Sequence, residues 1–149
     1  MTLDAIRCSS SRPLQSLFPL LRKSGAPATI LDPSVIFSYE QLELAAALAE
    51  KSRTDGTAVS ERPEMEFLLW LACTPHANKA ISSAGAKEED DFVLVVLGES
   101  AKADAKMLAK KLGLIENKKK LGASSDAALS FFGVKTPEQL FEKMALSRL

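Results

Sequence analysis

The stretch that most constrains the fold spans residues 60–85, SERPEMEFLLWLACTPHANKAISSAG. Ser60 followed by Pro63 predicts the start of a helix, because serine caps free N–H groups and proline suits a first turn. The FLLWL run that follows is apolar on nearly every side, so neighbours should enclose this helix. Pro75 ends it and opens a second helix, which Gly85 closes in the left-handed conformation. We therefore expect a helix pair at the centre of the molecule.

Charged residues favour the first helix of this pair, and small residues on the second leave room for a neighbouring helix. Glu61, Glu64 and Glu66 put negative charge near the positive end of the first helix's dipole. The second helix carries small and apolar residues at helical spacing, which allow another helix of this chain or of a partner to approach closely: Ala77, Ala80, Ile81 and Ala84. The same pattern also fits a helix pair that only forms core, because apolar periodicity indicates burial and not function.

The clearest strand is Phe92–Leu97, FVLVVL. Its sequence is apolar on both faces, which is typical of a strand covered on two sides. Weaker extended segments are predicted at Leu3–Cys8, Thr29–Leu31 and Val35–Phe37. With helices between them, this order predicts an α+β fold in a single domain over residues 1–149, with a small mixed sheet whose buried central strand is covered by several helices.

Three further helices have recognisable ends. Ser38–Gln41 and Thr136–Gln139 are capping boxes, in which the hydroxyl and the amide can each satisfy a free N–H group. The helix over 100–112 should turn Met107, Leu108 and Leu112 inward and end at Gly113.

Composition excludes several classes of function. Lysine plus arginine and aspartate plus glutamate number 19 each, so no global field attracts nucleic acid. There is no apolar run of about 18 residues and no apolar core of a signal peptide, so we expect neither a membrane span nor secretion. Two isolated cysteines fit a reducing cytoplasm.

A catalytic set is not evident, and we expect no enzyme activity, metal or cofactor. His76 is the only histidine, and Cys73 resembles a buried small hydrophobe. Cys8 lies beside Arg7, which would lower its pKa modestly, but no second group pairs with it. The alternative is a small α/β enzyme or anion-binding domain at Gly98–Ser100, where a helix follows the central strand.

The order of segments resembles a known family. EMEFLLWLACTPHANKAI is similar to a segment of the small regulatory subunit of the KEOPS complex, the PRPK-binding protein family. The resemblance includes ILDPSVIFSYEQLELAAALAEKS upstream and FVLVVLG and FEKMAL downstream, and covers roughly residues 28 to 149. One position and one segment depart from the family pattern. Gln41 stands where histidine is frequent, and residues 73–77 replace a Gly-Glu-Arg-Gln-Ile pattern.

This resemblance implies a non-enzymatic subunit that regulates a kinase-like ATPase and helps present tRNA, including its 3′ end, for threonylcarbamoylation of adenosine. The expected partner surface comprises Ala77, Ala80, Ile81, Leu129, Phe132, Leu140 and Met144. The expected tRNA contacts are Lys51, Arg53, Arg62 and Lys79, followed by Lys118, Lys119 and Lys120. Self-association of the isolated chain into a homo-oligomer is a third alternative, which its mass in solution would reveal.

Overall fold

The computed structural model describes residues 2–119, 121 and 125–148. The strands are β1 (Leu3–Ser9), β2 (Ala28–Leu31), β3 (Phe92–Leu97) and β4 (Ile115–Glu116). The helices are α1 (Leu14–Lys23), α2 (Tyr39–Thr54), α3 (Pro63–Leu71), α4 (Ala77–Ala84), α5 (Ala101–Leu112), α6 (Ser125–Phe131) and α7 (Pro137–Leu146). A short 3₁₀ turn, Pro33–Val35, links β2 to α2.

The strand β3 lies inside the sheet, whose order is β2-β3-β1-β4. All pairings are antiparallel, with Leu3 opposite Leu97 between β1 and β3, and Ala28 opposite Val96 between β2 and β3. Every residue of β3 is buried. The predicted α+β fold with a buried central strand under helices is confirmed, and the sheet is antiparallel throughout the described residues.

Side chains of β3 alternate between two hydrophobic cores, as the period of a strand requires. Val93, Val95 and Leu97 face a broad helical layer formed by α2, α3, α4, α6 and α7. Phe92, Leu94 and Val96 face a narrow layer formed by α1 and α5. The molecule therefore has three layers, with the sheet in the middle.

Three local predictions are corrected by the structure. Val35 belongs to the 3₁₀ turn and not to a strand, because the Asp32 carboxylate accepts the Ser34 N–H and tightens the chain there. Met107 is 71% exposed, since it lies one residue away from the stripe that α5 buries. Gly85 has an extended backbone, φ −67° and ψ 158°, because the chain passes directly from α4 into pairing with Leu31.

The two predicted capping boxes form with one difference. The hydroxyls of Ser38 and Thr136 accept the N–H groups of Gln41 and Gln139, as predicted. Each glutamine side chain, however, accepts an N–H group one residue earlier than the cap: Gln41 from Phe37 at 2.5 Å, and Gln139 from Lys135 at 2.8 Å. Buried Gln41 also donates to the Val35 carbonyl, and so fixes α2 to the preceding turn.

A buried carboxylate organises the broad layer. Glu66 is fully buried, and its Oε2 atom accepts hydrogen bonds from Ser52 Oγ at 2.5 Å and Trp70 Nε1 at 3.2 Å. Its Oε1 atom accepts the N–H groups of Val59 and Ser60. Arg148 donates to Oε2 at 2.5 Å, and its guanidinium carbon lies 4.1 Å from the centre of the Trp70 ring. One side chain thus joins α2, the loop before α3, α3 itself and the end of α7.

This environment determines the charge of Glu66. Burial alone raises the pKa of the carboxyl, but the hydrogen bonds from Arg148 and Ser52 outweigh it, and the pKa lies below its ordinary value of about 4.5. The network therefore contributes its full stability above pH 4.5 or so and loses it as the pH falls through the lowered pKa.

We expect Glu66→Ala to lower the free energy of unfolding by about 3–5 kcal/mol, because it leaves the Arg148 charge buried without its partner. Urea denaturation at neutral pH measures this change. The matched control is Glu61→Ala, which removes an exposed glutamate of the same segment and should change stability by less than about 0.5 kcal/mol. Equal effects of the two substitutions would contradict the role given to Glu66.

Candidate docking cleft

The structure divides the predicted partner residues into two groups. Five of them are buried within the core of the broad layer and are corrected as surface residues: Ala80, Leu129, Phe132, Leu140 and Met144. Their apolar spacing indicated burial correctly, but the covering surface is this chain and not a partner. Ala77 and Ile81 are exposed on α4, and Ile81 retains 40% of its accessible surface.

Ile81 lies at a cleft of about 350 Å³ where the two helical layers meet the edge of the sheet. On the opposite side of the cleft stands Phe18 of α1, which is 38% exposed. The remaining lining comes from α1, β2, α3 and the end of α4: Pro19, Leu21, Arg22, Lys23, Ala28, Thr29, Ile30, Arg62, Glu64, Met65, Leu68 and Gly85. The lining combines apolar side chains with a few charged ones, as is usual where a protein binds another molecule.

The end of α4 closes one part of this sheet edge. Ala86 N–H donates to the Ile30 carbonyl at 3.0 Å, and Asp32 N–H donates to the Ala84 carbonyl at 2.9 Å. Gly85 is opposite Leu31 between these two bonds. A Cβ atom on Gly85 would lie 2.5 Å from the backbone oxygen of Ile81, so the sharp exit from α4 requires glycine.

Basic side chains surround the cleft. Arg22, Lys23 and Arg62 line it, and Arg62 forms an ion pair with Glu64. Lys79 is exposed on α4, two residues before Ile81. The sequence predictions did not include Phe18, Arg22 or Lys23, because no motif in this segment indicates a binding site.

The other predicted tRNA contacts lie elsewhere. Lys51 and Arg53 are exposed at the end of α2, where Lys51 pairs with Asp55 at 3.1 Å. Exposed Lys118 and Lys119 follow β4, at the sheet edge opposite to β2. Lys120 lies outside the described residues. The lysine run and Arg62 are therefore separate groups and not one continuous basic face.

Burial disfavours the thiolate form of both cysteines. Burial raises the pKa of Cys8 to about 12, which corrects the predicted lowering. Its neighbour Arg7 donates two hydrogen bonds to Asp91 instead. Burial likewise raises the pKa of Cys73 to about 11. His76 is exposed at the start of α4.

At the alternative site over 98–100, the backbone of Gly98 is hydrogen-bonded to neighbouring parts of the chain. Gly98 N–H donates to the Thr2 carbonyl at 2.8 Å. The Gly98 carbonyl accepts the Thr2 hydroxyl at 2.6 Å and the Ala101 N–H at 3.2 Å. Glu99 and Ser100 are exposed.

Over the described ranges, no helix is long and apolar enough to cross a membrane, and no group of three or more His, Cys, Asp or Glu side chains could hold a metal ion. Comparison of the chain with protein-family models and with curated proteins finds no significant match.

Gly85→Ala should lower the free energy of unfolding by about 1–3 kcal/mol, because the added Cβ meets backbone rather than a flexible side chain. Denaturant titration checks this value. Ser82→Ala is the control, since Ser82 is exposed on the same helix and its loss should change stability by less than about 0.5 kcal/mol. A Gly85→Ala variant as stable as this control would show that α4 can leave the sheet edge without strain.

Proposed function

We propose that this protein is a non-catalytic docking subunit of a KEOPS-type assembly in the cytoplasm. In this role it binds and regulates a kinase-like ATPase and helps recruit tRNA for threonylcarbamoyladenosine modification. The observation that carries the proposal is the convergence of exposed Phe18 and Ile81 on one apolar cleft with basic residues around it. The choice of this assembly is supported by the resemblance in segment order over roughly residues 28–149.

Exposed apolar side chains support the docking role. Partner binding usually depends on a few large side chains at the centre of an interface, surrounded by polar residues. Phe18 and Ile81 have this arrangement, since Arg22, Lys23 and Arg62 lie beside them. Met107, by contrast, is exposed on α5 in the narrow layer, away from Ile81.

Separate basic groups support the tRNA role. Arg62 and Lys79 lie on the elements that form the cleft, and Lys118 and Lys119 lie at the opposite edge of the sheet. Phosphate binding depends on such local clusters, because the whole chain has no net charge. We assign the first contact with tRNA to Arg62, before α3, and to exposed Lys79 on α4.

Ile81→Glu should weaken binding of the cognate kinase-like ATPase by about tenfold or more while the domain stays folded, because Ile81 is partly exposed and lies at the cleft. Isothermal titration calorimetry with the purified ATPase measures the affinity, and thermal unfolding verifies the fold.

The matched control is Met107→Glu, which adds the same charge to an exposed apolar position in the other helical layer. It should leave the affinity within about twofold of the original. Equal binding by both variants would remove Ile81 from the interface, and no binding by the unchanged chain would refute the assignment to this assembly.

Arg62→Glu and Lys79→Glu should each weaken tRNA binding and reduce the slope of its salt dependence by about one, as expected for loss of a phosphate contact. Filter binding over a series of salt concentrations gives both quantities. The double variant Lys118→Glu, Lys119→Glu tests the opposite edge and should have the smaller effect. If it has the larger effect, tRNA approaches from the β4 side.

A further inference from the structure

The cleft has the size of a small-molecule site. Its volume of about 350 Å³ lies within the range of about 300–1,000 Å³ that is typical of ligand pockets in proteins. Its lining comes from α1, β2, α3 and the end of α4, so elements of both helical layers and of the sheet hold its walls. A concave site of this size is suited to one small ligand.

The apolar lining of the cleft has a buried part and an exposed part. Leu21, Ile30 and Leu68 belong to the two hydrophobic cores and are buried. Phe18 and Ile81 are both exposed to solvent at the same cleft. Covering such exposed apolar side chains with an apolar group removes both surfaces from water, which is favourable. The lining therefore favours a ligand with an aliphatic chain.

Positive charge is concentrated on one wall of the cleft. Arg22 and Lys23, the last two residues of α1, are exposed, and neither forms an ion pair with another described residue. Arg62, on the α3 side, pairs with Glu64, so these two charges largely cancel. Two uncompensated positive charges thus lie beside an apolar surface. An anionic group joined to an aliphatic chain complements both features.

We propose that the cleft binds an aliphatic carboxylate with a single chain, which lies along the apolar lining while the carboxylate contacts Arg22 and Lys23. The N–H groups of an arginine form a fork that matches the two oxygens of a carboxylate. This inference goes beyond the docking role proposed above and concerns the chain by itself. Its failure would leave that role in place, and absence of ATPase binding would not affect it.

Isothermal titration calorimetry of the full chain with the even-numbered acids from hexanoate to tetradecanoate, each below its micelle-forming concentration, tests the proposal. We expect the affinity to rise by about two- to fourfold with each added methylene, as burial of apolar surface requires, and then to level off when the chain exceeds the cleft. Neutral 1-decanol should bind about tenfold or more weakly than decanoate, because it lacks the charge that Arg22 and Lys23 attract.

Matched variants and a spectroscopic signal locate the site. Arg22→Glu with Lys23→Glu should weaken decanoate binding by about tenfold or more, whereas Lys110→Glu with Lys111→Glu on α5 should leave it within about twofold. In methyl NMR spectra, decanoate should shift the signals of Ile30 and Ile81, which line the cleft, but not that of exposed Ile115 on β4.

Four results would overturn the proposal. They are absence of binding by every acid, an affinity that does not depend on chain length, equal effects of the two double variants, and methyl shifts at Ile115 without shifts at Ile81. Decyl phosphate that binds more than tenfold more tightly than decanoate would assign the site to a phosphate and overturn the choice of carboxylate.

Discussion

The buried charge of Glu66 is the interaction on which the rest of the molecule depends. Moving a carboxylate out of water carries a penalty of several kcal/mol, which only a well-formed set of partners offsets. Here the partners are Ser52, Trp70, Arg148 and two backbone N–H groups of the preceding loop. They come from elements far apart in the chain, so the carboxylate is satisfied only when α2, α3 and the end of α7 are all in place. The carboxylate thereby couples the positions of these three elements within the broad layer.

Glu66 also bears on the cleft, because it joins α3, which forms part of one wall, to α2. The chain leaves α4 through the sharp exit at Gly85, which lies opposite Leu31 of β2. Backbone hydrogen bonding along this edge continues to the bond from Ala86 N–H to the Ile30 carbonyl. On the other face of the sheet, α1 of the narrow layer packs against the same strand, β2. The cleft lies between the two helical layers beside β2, and residues at the borders of both layers form its walls.

Sequence reasoning identified most elements but not their neighbours. The FVLVVL run could place β3 inside the sheet, because only a strand covered on both faces is apolar throughout. Periodicity on α6 and α7 could not distinguish a partner from this chain as the covering surface, so Leu129 and Met144 were assigned to an interface. Glu66 was interpreted through the helix dipole, since nothing local in sequence reveals that Arg148, 82 residues later, lies beside it. The cleft depends on such distant contacts, and the predicted site residues that line it are Ile81 and Arg62.

The helix α4 separates the two proposed binding roles in space. Ala80 and Ala84 face the core, and Ile81 lies at the cleft. Residues two apart on a helix point in nearly opposite directions, so Lys79 lies on the side of α4 away from Ile81. A protein segment in the cleft and a nucleic acid on the outer side of α4 would then contact different faces of one helix. Arg62 is the residue that both could reach, and its ion pair with Glu64 moderates its charge toward either of them. Occupancy of both sites is therefore compatible with the geometry, and coupling between them would act through α4 and its connection to β2 at Gly85.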